Sequence, residues 1–97
     1  MLIEEVKSDL RIVTNAFDSE ITELIDSAIL DLKLAGIINS KLLTLDTATP
    51  DSLLVRAIKL YCKSNFGIGN TDMERYDKTY QSLKMHLCLS AEYTEVI

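Results

Sequence analysis

The chain has 97 residues, 47% of them hydrophobic and 26% charged, with 15 acidic against 10 basic side chains and a net charge of -5. That length leaves too little interior for two cores, so one domain is expected over residues 1–97, and the apolar content argues against overall disorder. The acid excess argues against a protein whose main task is gripping nucleic-acid phosphates, while contact with DNA that slides past stays compatible with it.

The amino terminus, MLIEEVKSDLRI, carries acids where a signal peptide carries basic residues. No apolar run approaches the ~18 residues of a membrane span, so the cytosol is the expected compartment and no membrane partner is expected. Ile3, Val6, Leu10 and Val13 recur at spacings of three and four, which predicts a short N-terminal helix. Asp18 is placed to cap the next helix, with Phe17 before it as a hydrophobic staple packing back onto that helix.

Ile21, Leu24, Ile25, Ala28, Ile29 and Leu32 then form a wide apolar stripe that stops at Ala35 before Gly36. Leu30 and Leu34 fall off this stripe and call for burial on a second side, within the fold or against a neighbouring subunit. From Ile37 to Thr49 the helical period lapses, and a loop or brief extended segment is expected, with Leu42, Leu43 and Leu45 scattered through it. Connections of that length are more often functional than short ones.

Thr49, Pro50 and Asp51 restart the helix as cap, first helical residue and dipole partner. Leu54, Ala57, Ile58 and Tyr61 form the main stripe of this helix, widened toward all-round burial by Leu53, Val55, Leu60 and Cys62. Its remaining face carries Arg56, Lys59 and Lys63, whereas the preceding helix carries Glu20, Glu23, Asp26 and Asp31. The opposed charges make these seven residues candidates for pairing between copies in an oligomer, which would set register more than affinity.

Phe66-Gly67-Ile68-Gly69-Asn70 reads as a helix-to-helix turn, because a phosphate-binding glycine loop should follow a strand. Thr71 and Glu74 have capping-box spacing. Tyr76, Tyr80, Leu83 and Leu87 continue as a core stripe whose phenol oxygens need partners. After Leu89 the alternation of Ser90 to Ile97 predicts an extended, flexible tail. The expected fold is all-α: a bundle of three main helices at about 18–35, 50–66 and 72–89, with a short N-terminal helix and that tail.

Catalytic chemistry is not apparent. His86 is the only histidine, Cys62 and Cys88 lack any metal or redox spacing and read as small buried hydrophobes, and no serine, cysteine or acid pair is arranged as a reacting set. No catalytic residue, metal ligand or cofactor-binding residue is therefore assigned.

The segment AIKLYCKSNFGIGNTDMERYDKTYQSLKMHLCLSAEY, from Ala57 to Tyr93, resembles the small head-tail connector proteins of long-tailed bacteriophages, also described as head-completion or DNA-packaging adaptors. The similarity lies in the Phe66-Gly67 end of the central helix, the Gly69-Asn70 turn, the Tyr76, Tyr80, Leu83 and Leu87 spacing, and the closing Ser90-x-x-Tyr93. The resemblance implies a non-enzymatic ring of about a dozen copies, closed by a repeated heterologous interface. Such a ring would sit between the portal protein and the tail-completion proteins, pass double-stranded DNA through its channel, and move from the host cytoplasm into the virion at the head-tail junction. It implies docking through segments that order on contact, here the loop with Leu42, Leu43 and Leu45 and the tail with Tyr93, Val96 and Ile97. The alternative is a small helical regulatory module that binds protein or DNA through Arg56, Lys59 and Lys63.

Overall fold

A computed structural model describes residues 2–37, 39–47, 50–66, 72–90 and 92–94. Helix α1 spans Leu2–Leu10, α2 Asp18–Leu34, α3 Asn39–Leu42, α4 Ser52–Asn65 and α5 Met73–Cys88, with a 3-10 turn at Leu43–Asp46 after α3. No strand occurs among the described residues.

Helix α4 is central and packs against both α2 and α5, while α1 rests on α2 and α4. The apolar spacing of each helix is what directs it there. Ile21, Ala28 and Leu32 of α2, Leu54, Ala57, Ile58 and Cys62 of α4, and Tyr80 and Leu87 of α5 are all buried, with Val6 of α1 closing the end. Burial is worth roughly 1.5–3 kcal/mol for each large aliphatic side chain, so these helices hold through their shared faces more than through propensity. Tyr61 and Tyr80 meet edge to face, with centroids 5.3 Å apart.

Two helices end in the same way. At the end of α2, Gly36 takes φ 110°, its N–H donates to Lys33 O and the Ile37 N–H donates to Leu32 O. Both Ile37 and Leu32 are buried, which completes the apolar contact of a Schellman closure. At the end of α1, Arg11 occupies the corresponding left-handed position with φ 60°, its N–H donating to Ser8 O and the Ile12 N–H to Lys7 O. A side chain there costs about 1–2 kcal/mol that glycine largely avoids. Arg11→Gly is therefore expected to stabilise the protein by about 0.5–1 kcal/mol, read as a rise in the thermal midpoint. A fall would mean that the arginine side chain contributes more than its backbone costs.

Several expectations are corrected. Asp18 is the first residue of α2 and not its cap; Phe17 holds the cap position, with no side-chain cap hydrogen bond. Asp18 Oδ1 instead lies 2.7 Å from Lys7 Nζ, an ion pair that draws α1 to the start of α2. The Phe17 ring meets Phe66 edge to face, with centroids 5.6 Å apart, a partner the sequence did not suggest. Val13, on the expected stripe of α1, is 100% exposed because the helix has already turned out at Arg11.

Helix α4 starts at Ser52, not at Pro50, and Asp51 is its cap, accepting hydrogen bonds from the Leu53 and Leu54 amides at 3.0 and 3.1 Å. Its burial is not all round, since Leu53 remains exposed. Helix α5 begins after Asp72, which makes no side-chain cap hydrogen bond. Thr49, the Gly67 to Asn70 turn and the Thr71 half of the capping box lie outside the described residues.

The segment from Ile37 to Thr49 is mostly helical over its described part, not a loop or extended. Leu42 and Leu45 turn inward, and Thr44 and Thr47 donate their hydroxyls to Lys41 O and Thr44 O at 2.7 and 2.6 Å. One helical turn followed by a 3-10 turn is too short to show a period in the sequence.

The two thiols are free. Cys62 is fully buried, and burial together with the nearby Asp9 carboxylate pushes its thiol up to about 12, so it is an inert core residue. Cys88 donates to Ala35 O at 3.2 Å.

Candidate functional site

Glu20, Glu23 and Asp26 stand exposed on α2, and none makes an ion pair among the described residues. Asp31, grouped with them by the sequence, is instead half-buried and engaged by α5. It accepts hydrogen bonds from the Tyr80 hydroxyl and, at 3.0 Å, from Lys84 Nζ, which also lies 5.3 Å from the centre of the Tyr80 ring. Burial alone would raise the Asp31 carboxyl, but the Tyr80 and Lys84 hydrogen bonds and the Lys84 charge outweigh it and hold it below its ordinary 3.8. Burial and the bond to Asp31 push the Tyr80 phenol upward in turn. Asp31 thus braces α2 to α5 within one protomer.

The basic stripe of α4 lines one groove, but its members are not equally free. Lys63 Nζ lies 3.4 Å from Asp9 Oδ2 of α1 and 5.0 Å from the centre of the Tyr76 ring. Lys59 opens onto the same groove, beside Glu5 and Asp9. Arg56, exposed, also borders a separate groove between α4 and α5 that Lys78, Thr79, Ser82 and His86 line. Helix α1 therefore meets one edge of the stripe and α5 the other. Sequence spacing places three cations on one face, but only packing decides which acids come to meet them.

The two segments expected to dock on partners converge on Asp51. Leu42 and Leu45 are buried and Leu43 is 63% exposed. Tyr93 is buried, and its hydroxyl donates to both carboxylate oxygens of Asp51 at 2.9 and 3.1 Å. Lys41 of α3 lies 5.0 Å from the Tyr93 ring centre, 3.2 Å from Glu92 Oε2 and 3.8 Å from Asp51 Oδ2. The Asp51 amide donates to the Thr44 hydroxyl at 3.0 Å. One carboxylate thus caps α4, holds the C-terminal phenol and sits beside the α3 lysine.

Over its described residues the C-terminal stretch does not extend: Tyr93 and Thr94 turn back, both amides donating to Ser90 O at 3.1 Å. Val96 and Ile97 lie outside the described residues. The sequence reading singled out Tyr93 but missed Asp51 and Lys41 as its partners. In the sequence Asp51 reads only as a partner of the helix dipole, since nothing local pairs it with a phenol 42 residues away.

Leu30 and Leu34 are 55% and 78% exposed, which removes burial within the fold as the explanation of their off-stripe positions. His86 is exposed, as a boundary residue of α5 would be. Among the described residues no group of three or more histidine, cysteine, aspartate or glutamate side chains is placed to hold a metal ion, and no helix is long and apolar enough to cross a membrane.

Compared with known protein families, residues 2–94 match the model of a family described as phage connector protein. Neither the curated proteins nor the solved structures give a significant match.

Proposed function

The chain belongs to the phage connector protein family, and on that premise we propose that it is a structural adaptor forming a ring between the capsid portal and the tail. The family match over nearly the whole chain carries this reading. Genome DNA would pass through the channel of the ring, and the net charge of -5 suits a conduit that lets DNA slide more than one that holds it. The partners are further copies of the chain, the portal protein and a tail-completion protein, first in the host cytoplasm and then in the virion. The role is non-enzymatic.

The free acids Glu20, Glu23 and Asp26 and the cations Arg56 and Lys59 are the charges left for contact between copies. Asp31 and Lys63 are engaged within the protomer and drop to supporting roles. Leu43, the exposed leucine of the α3 segment, is the docking residue that remains available there, while Leu42, Leu45 and Tyr93 support it from inside. The alternative of a DNA-binding module through Arg56, Lys59 and Lys63 is the less favoured reading, because Asp9 already engages Lys63 and the net charge of -5 works against gripping phosphates.

Sedimentation velocity and negative-stain electron microscopy over a range of concentrations, with and without portal protein, test the proposal. Rings or concentration-dependent closed oligomers are expected. A strict monomer even with portal protein present would overturn it.

A further inference from the structure

Four of the large exposed apolar side chains belong to two adjoining helices: Leu30 and Leu34 on α2, 55% and 78% exposed, and Met85 and Leu89 at the end of α5, 66% and 82% exposed. The seam between these helices advances in one direction, since Asp31 meets Tyr80 and Lys84 while Ala35 meets Cys88. The two helices are therefore parallel. At 3.6 residues per turn, Leu30 and Leu34 lie roughly 60–100° to one side of the Asp31 line, and Met85 and Leu89 lie roughly 100° or more to the opposite side of the Lys84 line. For parallel right-handed helices, those opposite rotations bring both pairs out on the same side of the seam. The buried stripes of α2 and α5 turn the other way, onto α4. The four side chains form an apolar patch on the side of the bundle away from α4.

On α2 the same stripe continues back through Ser27 to Glu23 and Glu20, so it is acidic in its first half and apolar in its second. The far side of the bundle carries the complementary pattern. The outer face of α4, about 180° from its buried Leu54, Ile58 and Cys62, presents the exposed Leu53, the half-buried Leu60, and Arg56 with Lys59 at its edge. Neither Arg56 nor Lys59 makes an ion pair among the described residues. Acid with leucine on one side therefore stands opposite base with leucine on the other. Two copies meeting patch to patch would set acids against acids, which is costly, whereas a head-to-tail meeting sets acids against bases.

We propose that a second copy of this chain seats the outer face of its α4, with Leu53, Arg56 and Leu60, on the Leu30, Leu34, Met85 and Leu89 patch and the acids beside it. Faces on opposite sides of one protomer are what a ring of many copies requires, because the turn between neighbours is then small. This inference rests on the ring reading above and names the surfaces that close it.

The test uses the full chain and its assembly by sedimentation. Leu34→Glu and Leu89→Glu, at positions already open to solvent, should leave thermal melts near wild type and weaken self-association about tenfold or more, the effect of losing roughly 1.4 kcal/mol. The variant Glu20→Lys with Glu23→Lys, and separately the variant Arg56→Glu with Lys59→Glu, should each stay dissociated. An equimolar mixture of the two should assemble again, because each face then meets its opposite charge in alternating order. If wild type assembles and the leucine variants assemble equally well, or the mixture fails where both variants are folded, the docking surfaces are wrong while the ring reading stands. If wild type never assembles even with portal protein, the ring reading falls instead.

Discussion

Ile58→Ala is expected to cost about 2–5 kcal/mol of unfolding free energy, which for a domain of ordinary stability, about 5–15 kcal/mol, removes a large part of the total. Ile58 has no exposed surface and sits on the face of α4 that both α2 and α5 pack upon. Its truncation leaves a cavity in the close-packed core around α4, which the neighbouring helices can close only by shifting off their other contacts. Ile58→Val should cost only about 0.5–1.5 kcal/mol, since most of the volume stays. Urea titrations of the two variants measure both values. A loss below about 1 kcal/mol for the alanine variant would show that the helices re-pack freely around α4. Leu34→Ala, by contrast, should change monomer stability by less than about 0.5 kcal/mol, the usual range for an exposed position. The pair of results separates residues that hold the protomer from residues that serve its contacts.

Asp51→Ala is expected to cost about 2.5–4 kcal/mol, more than an ordinary cap, because it removes a helix cap of about 1 kcal/mol and hydrogen bonds to a charged acceptor of about 1.5–3 kcal/mol together. It deprives the Leu53 and Leu54 amides of their acceptor and leaves the buried Tyr93 hydroxyl unpartnered. Asp51→Asn keeps an acceptor oxygen and should cost less. A second signature is alkaline. Burial, the bond to Asp51 and the charges of Asp51 and Glu92 push the Tyr93 phenol from 10.0 up to about 12. Its folded value lies above its unfolded one, so the stabilisation it gives is complete below pH 10.0 and is lost as pH rises toward 12. Asp51→Ala should flatten that decline. Chemical denaturation from pH 8 to 12 together with hydrogen exchange in α3 follows both effects, and an alanine variant within about 0.5 kcal/mol of wild type would reduce Asp51 to a surface residue.

Where an apolar repeat ran for three or more turns, the sequence disclosed the helix and most of its inward face. The Ile21 to Leu32 stripe, the Leu54 to Tyr61 stripe and Tyr80, Leu83 and Leu87 pack as their spacing predicts, whereas Tyr76 of the same expected stripe is only half-buried and lies outside the core cluster. Short elements were not legible in this way. Asn39–Leu42 and the turn after it hold only Leu42 and Leu45 inward, two points that define no period. Helix starts were misplaced by one or two residues because Asp18, Thr49 and Asp51 all have capping chemistry, and at α4 it is the Asp51 carboxylate that accepts the Leu53 and Leu54 amides.

The candidate surfaces divide along the same line. Charge signs were fixed by composition and helical period, so the acidic α2 and basic α4 could be recognised from residue spacing alone. Which of those charges remain open was decided in three dimensions, where Lys84 and Tyr80 engage Asp31, Asp9 engages Lys63, and Glu20, Glu23 and Arg56 are left outward. The sequence by itself therefore determined the helices, their buried faces and, by similarity, the family. Only the tertiary structure decided that Leu30, Leu34, Met85 and Leu89 share one surface, and that Asp51 gathers Tyr93, Lys41 and the start of α4. The physical reason is range: helical period is set by neighbours three and four residues apart, whereas ion pairs, buried phenols and exposed patches depend on which helices lie side by side.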